Sequence, residues 1–198
     1  MRLAAVLACV LVVAACSPST PALPWSGQLA ADRAEKDRAF REDAASPLLP
    51  ENKPSFTGLS YFAPDKSYRV PASLRVASGE ARAIVKMPTS TGLLRDMVRV
   101  GRLEFVLKDQ PLALSAFVEA GQPLDRLFLP FADLTTGRET YAGGRYLDLD
   151  RTPTGIYDLD FNRAYHPYCF YNPKYDCPYP PPENRLKVPV RAGERLSP

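Results

Sequence analysis

The sequence predicts a mainly β fold: a single antiparallel β-sandwich or partly open barrel preceded by an N-terminal α-helix. Three observations lead there. Past residue 69, apolar residues alternate in many short runs with turn residues between them, the pattern of half-buried strands in a small all-β domain. The 21 prolines sit inside apolar, aromatic-rich text, where they mark turns and sheet edges. Only residues 25–45 carry a helical composition. With 198 residues and 45% apolar content, one domain with one core is the expectation. The 25 basic and 22 acidic residues are mixed throughout, for a net charge of +3. No basic stripe follows from that distribution, so nucleic acid is set aside as a partner.

Residues 1–15 have the layout of a secretory signal peptide. Arg2 supplies a small positive region, and "LAAVLACVLVVAA" is an apolar run too short to cross a bilayer as a stable helix. The run ends in "VAAC", Val13 to Cys16, which resembles the lipobox of bacterial lipoproteins. That resemblance implies cleavage before Cys16, lipid on its thiol and amine, and a membrane as partner through this anchor. A plain secretory signal with an incidental cysteine is the competing reading. Residues 16–24, with "SPSTPALP", have the composition of a semi-extended tether. Lipoproteins kept in the inner membrane often carry aspartate where Ser17 stands. The resemblance therefore implies a lipid-anchored protein of the bacterial cell envelope, at the outer membrane and facing the periplasm. Residues 25–198 are expected to form the single β-rich domain with its helix.

The stretch "WSGQLAADRAEKDRAFREDAA" predicts one amphipathic helix from Trp25 to Ala45, with Trp25, Leu29 and Phe40 as apolar anchors. Asp32/Lys36, Arg33/Asp37, Asp37/Arg41 and Arg38/Glu42 are spaced for ion pairs one turn apart. Ser26 is the expected cap, and Ser46-Pro47 ends the helix because a residue before proline avoids helical angles. "ASLRVA" and "ARAIVKM" then flank Ser78-Gly79-Glu80 and read as a hairpin. In "MVRVGRLEFVL" the apolar phase flips: Val98 and Val100 share one parity, and Leu103, Phe105 and Leu107 the other. Keeping both sets in one core requires a β-bulge at Gly101. After a turn at 108–111 come "LALSAFV", "RLFLPF", "RYLDLD" and "IYDLDFN", and "LKVPV" is expected as a short edge strand that tolerates Pro189.

The candidate chemistry lies late in the chain. Pairing "RYLDLD" with "IYDLDFN" through "RTPTG" puts Leu147, Leu149, Tyr157, Leu159 and Phe161 on the core face. Asp148, Asp150, Asp158, Asp160 and Asn162 then fall on the other. Such a face needs water, arginines or a divalent cation. Asp158-x-Asp160-x-Asn162 resembles the start of a calcium loop. It departs from one at Arg163, where glycine is needed, and at Cys169, where glutamate is needed. With His166 added, Asp158, Asp160 and Asn162 are the tentative ligand or cation residues.

His166 with Cys169, Cys177 and a carboxylate would be an incomplete zinc set, lacking paired ligand spacing, so no metal site or cofactor is assigned. Once Cys9 is removed and Cys16 acylated, Cys169 and Cys177 remain, and beyond an inner membrane a disulfide is their simplest use. Closing that loop would restrict the unfolded chain by about 2.5 kcal/mol. "CPYPPPEN" reads as a polyproline-II strap lying over the sheet.

The motifs "TGLSYFAPDKSYRV", "MPTSTG", "PFADLTTGRETYAGGRYLDL" and above all "LDFNRAYHPYCFYNPKYDCPYPPPENRL" resemble an uncharacterised bacterial family, the domain of unknown function 1684. The resemblance covers most of the chain after the tether and implies no activity. Two function classes stand. The first is a binding or structural module, not an enzyme, with a small molecule or another envelope protein as partner. Its contact loops would be "TTGRETYAGGRY" and "PTSTG". The alternative is a cation-dependent or hydrolytic enzyme working through Asp158, Asp160, Asn162 and His166, which requires those side chains to converge in one pocket.

Overall fold

Leu29 and Phe40 anchor helix α1, Trp25–Glu42, and are 2% and 3% exposed. The computed structural model describes residues 23–197; the signal segment, "VAAC" and Cys16 lie outside the described residues. Pro24, not Ser26, stands at the N-cap, and no side chain caps it. At the other end Asp43 is already extended, three residues before the Ser46-Pro47 stop. The expected charge pairs along the helix do not form: Arg38 pairs with Glu35 one turn earlier instead, and other charged residues reach the rest of the domain. Asp32 pairs with Arg163 at 2.6 Å, Lys36 with Glu194 at 2.6 Å, and Asp37 accepts the Leu59 N–H at 2.9 Å. Arg33 donates to the carbonyls of Phe62 and Asn162. α1 is thus docked through polar contacts as well as through its two apolar anchors.

Seven strands follow: β1 Arg69–Val76, β2 Ile84–Pro88, β3 Leu94–Leu107, β4 Gln110–Glu119, β5 Arg126–Phe131, β6 Arg145–Asp150 and β7 Ile156–Asp160. They form one antiparallel sheet in the order β6-β5-β4-β3-β1-β7, with β2 also on β3. β6 and β7 stand at opposite ends of that order, yet only residues 151–155 join them. So short a link curls the sheet into a nearly closed barrel, which decides between the two architectures the sequence allows.

Three expected pairings are corrected by the same geometry. β1 and β2 do not form a hairpin: β3 is long enough to seat β2 opposite Leu94–Val98 and β1 opposite Gly101–Phe105. β6 pairs with β5 and β7 with β1, so Asp158 faces Pro71 across the ladder, not Asp148. "LKVPV" is a strap rather than a strand, held by single bonds such as Leu186 N–H to the Ala132 carbonyl at 2.8 Å. Pro189 lacks the N–H that a continuous ladder would use.

The bulge at Gly101 is present: Arg99 opposes Phe117, Gly101 opposes Ala116, and the register shifts between them. Val100 and Leu103 consequently share the barrel interior despite their opposite parity. Leu107, Leu114, Leu127, Leu129, Phe131, Leu159 and Phe161 complete that core with no exposure, and Leu186, Val188, Val190 and Ala192 of the strap close over it.

Candidate functional site

The tentative cation residues fall into separate structural roles. Asp158 is exposed and receives the Arg69 guanidinium, with Nε 2.8 Å from Oδ2. Asp160, 4% exposed, accepts the Trp25 indole N–H at 2.8 Å and both the backbone and amide N–H groups of Asn162. Asn162 clasps the backbone of Asp65, accepting its N–H and donating to its carbonyl, each at 2.9 Å. His166 is buried elsewhere, and its Nε2 accepts the Tyr141 N–H at 3.3 Å. That bond occupies the Nε2 lone pair and leaves the proton on Nδ1, so the imidazole offers no free lone pair to a metal. Burial first, then the charges of Arg145 and Lys36, push its pKa down to about 3. Among the described residues no three His, Cys, Asp or Glu side chains are placed to hold a metal ion. The convergence that the cation-dependent or hydrolytic alternative requires is absent.

The two polar loops are also built into the fold. Thr135 and Thr140 are fully buried and bond each other at 3.0 Å. Asp133 Oδ1 accepts the N–H groups of Thr135 and Val190. In the "PTSTG" turn, Ser90 N–H donates to the Cys177 carbonyl at 2.9 Å, and Ser90 Oγ accepts the Cys177 N–H at 3.1 Å. This turn holds the segment around residue 177 against β2.

What the structure does bring together is a cleft of about 800 Å3 on the outer face of the sheet. Strand alternation builds its floor. Leu127, Leu129, Leu147 and Leu149 point into the barrel, so the intervening Phe128, Tyr146 and Asp148 point out. Tyr165 makes an isolated two-bond bridge with Tyr146, which places its ring beside the sheet. Phe128 and Tyr146 meet edge to face at 4.6 Å, and Tyr146 and Tyr165 at 5.7 Å, giving a continuous row of rings. A wall of the cleft is the pair Tyr168 and Tyr175, edge to face at 5.3 Å. Tyr168 belongs to a single-turn helix, α2, Tyr168–Tyr171. Tyr168 and Tyr171 both pack against Phe40 of α1, which braces this wall from behind.

The polar groups of the cleft are largely fixed by one another. Tyr165 donates to Asp148 Oδ2 at 2.7 Å, and Tyr146 donates to the Pro178 carbonyl at 2.6 Å. Burial drives both phenol pKa values up, so the two hydroxyls stay protonated donors. Arg95 bonds the carbonyl and carboxylate of Asp176 at 2.7 and 3.0 Å. Lys36 lies 4.6 Å over the Tyr165 ring while paired with Glu194. Groups that retain capacity include Asp148 through its second oxygen, Glu119, which lies 3.9 Å from Arg95, and Lys174, an exposed ammonium beside the Tyr175 ring. The sequence offers "CPYPPPEN" as a strap over the sheet and an aromatic loop before it. The space beneath them depends on the Tyr146–Tyr165 bridge, a contact that no local pattern encodes.

Cys169 and Cys177 adjoin this cleft as free thiols, and the Cys169 N–H donates to Cys177 Sγ at 3.2 Å. The adjacency that the disulfide reading requires is therefore met, while His166 Nε2 is taken by the Tyr141 N–H.

Residues 54–195 match the family described as "Protein of unknown function (DUF1684)". The solution NMR structure of an uncharacterized protein from Haloarcula marismortui is similar, with 42% identity and a TM-score of 0.68. The match covers 87% of this chain and 94% of that one. No curated protein matches.

Proposed function

The chain belongs to the DUF1684 family of unknown function, and from that premise we propose that it is a binding module whose small organic ligand lies in the tyrosine-lined cleft. The carrying observation is the row of rings Phe128–Tyr146–Tyr165 on the floor and the pair Tyr168–Tyr175 in the wall, lining one cleft. Binding sites have this composition: ring faces supply area, and a small number of fixed donors and acceptors set orientation. A ligand with a flat or apolar body fits against these rings, with Asp148 and Lys174 meeting its polar ends. The test is NMR titration of the folded chain with a panel of uncharged, cationic and anionic aromatic fragments. Saturable shifts centred on Phe128, Tyr146 and Tyr165, abolished by Tyr165→Ala, support the reading; shifts confined to other surfaces overturn it.

The lipobox-like "VAAC" at 13–16 supports a place at the bacterial cell envelope, with lipid on Cys16 holding the domain to the outer membrane on its periplasmic side. Among the described residues no helix is long and apolar enough to cross a membrane. Mass spectrometry of the mature N-terminus tests the anchor. An acylated Cys16 is expected, and an unmodified chain or cleavage at another site removes this part of the proposal. In an oxidising compartment Cys169 and Cys177 would join, closing the loop that carries Tyr175 and stiffening one wall of the cleft.

A further inference from the structure

Cys169 and Cys177 differ in ways a purely structural pair does not require. Cys177 is 7% exposed and is pinned through both its backbone N–H and carbonyl to Ser90. Cys169 is more open to solvent and sits on the single turn α2. Its backbone N–H donates to Cys177 Sγ at 3.2 Å, so the two cysteines adjoin. Cys169 is thus the more solvent-open of two adjoining cysteines.

We infer that Cys169 and Cys177 form a thiol–disulfide exchange centre in which Cys169 attacks a disulfide of a substrate molecule and Cys177 resolves the mixed disulfide. The electrostatics agree with this division of labour. Hydrogen bonding from Cys177, ahead of that from Ser90 and Tyr141, outweighs burial and pulls the Cys169 pKa down to about 6, while the same contact and burial push Cys177 up. The lowered Cys169 pKa favours the thiolate, the form that attacks, on the more open residue.

In the first step the Cys169 thiolate attacks one sulfur of R–S–S–R′. A Cys169–S–S–R bond forms, the substrate S–S bond breaks, and R′–S⁻ leaves and takes a proton from water. Cys177 then loses its proton to solvent and attacks the Cys169 sulfur, and R–S⁻ leaves and is protonated. The two protein thiols are oxidised to one disulfide, and the substrate disulfide is reduced to two thiols. Run in reverse, the oxidised protein accepts electrons from a dithiol. The inference stands whether or not the cleft holds a small-molecule ligand.

The experiment is equilibration of the full chain in detergent with mixtures of oxidised and reduced glutathione, followed by mass spectrometry. Wild type should convert reversibly between dithiol and internal disulfide within the range glutathione spans. Cys177→Ser should trap one glutathione on Cys169, at a rate that rises through a pH near 6. Cys169→Ser should react at least about tenfold more slowly, because its remaining thiol is buried and protonated. A wild-type disulfide that reduced glutathione cannot open identifies a permanent staple and overturns the inference; so does equal glutathione capture by Cys169 and Cys177. The wild-type titration needs no variant, so a substitution that fails to fold leaves the test intact.

Discussion

At the residue scale, the most committed charge is Arg145, 1% exposed. Its guanidinium bonds Asp133 at 2.9 Å and the carbonyls of Val190, Ala192 and Glu194. Removing one partner of such a pair leaves the other charge buried and unpaired. Arg145→Met should therefore cost about 3–5 kcal/mol in urea unfolding, and adding Asp133→Leu should restore part of that loss. His166 sets a second residue-scale expectation. Its folded pKa of about 3 lies below the unfolded value of about 6.5, so between those values the unfolded chain holds a proton that the folded chain does not. The stabilisation from keeping the imidazole neutral is complete above pH 6.5 and is lost as pH falls toward 3. From pH 7 to 5 this group should contribute about 2 kcal/mol of destabilisation. Asparagine can accept the Tyr141 N–H and carries no titrating group, so His166→Asn should lower the pH dependence of the urea midpoint. An unchanged slope would show that the imidazole is protonated within the fold.

At the element scale, Gly101 carries the most local information. A Cβ there would stand 2.4 Å from the Arg75 carbonyl oxygen on the neighbouring strand, an atom of the backbone that cannot rotate away. Gly101→Ala should destabilise by about 1–3 kcal/mol and lower the melting midpoint by several degrees. Hydrogen exchange should show the loss of protection concentrated where β1 and β3 pair; a uniform loss would mean the bulge is not the site of strain. The bulge was legible because a phase flip and a glycine coincide within one strand, and the anchors Leu29 and Phe40 were legible because a single helix face is periodic. Strand partners were not. Residues 151–155 look like a hairpin turn, yet the same five residues also join the two ends of a curled sheet, and local text does not distinguish these cases. The partners of Asp32, Lys36 and Asp37 are likewise hidden from local text, because Arg163, Glu194 and the Leu59 N–H lie far along the chain. The cleft inherits this difficulty: Phe128, Tyr146 and Tyr165 are adjacent only once β5 and β6 pair and residue 165 bridges to 146.

At the scale of the whole molecule, β6 and β7 do not close the barrel through a ladder of their own, so closure falls to the C-terminal strap. Leu186, Val188, Val190 and Ala192 bury their side chains against the interior, and the backbone carbonyls of Val190, Ala192 and Glu194 receive Arg145 from the start of β6. Beyond them, the Glu194 carboxylate accepts Lys36 of α1, the His166 N–H and the Tyr171 hydroxyl, tying the helix to the aromatic wall of the cleft. Each buried leucine or valine is worth about 1.5–3 kcal/mol, and exposing the arginine's partners adds a few more. That sum is comparable with the entire stability of a typical domain, about 5–15 kcal/mol. A chain ending at Arg185 should therefore lose cooperative thermal unfolding and bind a hydrophobic dye, even though every strand of the sheet is still encoded. Glu194→Gln keeps the strap and removes one charge, so it should unfold cooperatively at a lower midpoint, with the largest loss of exchange protection in α1 and residues 165–171. Were the truncated chain to melt as sharply as the full one, the strap would be a cover, and the sheet would hold its barrel shape through β6 and β7 alone.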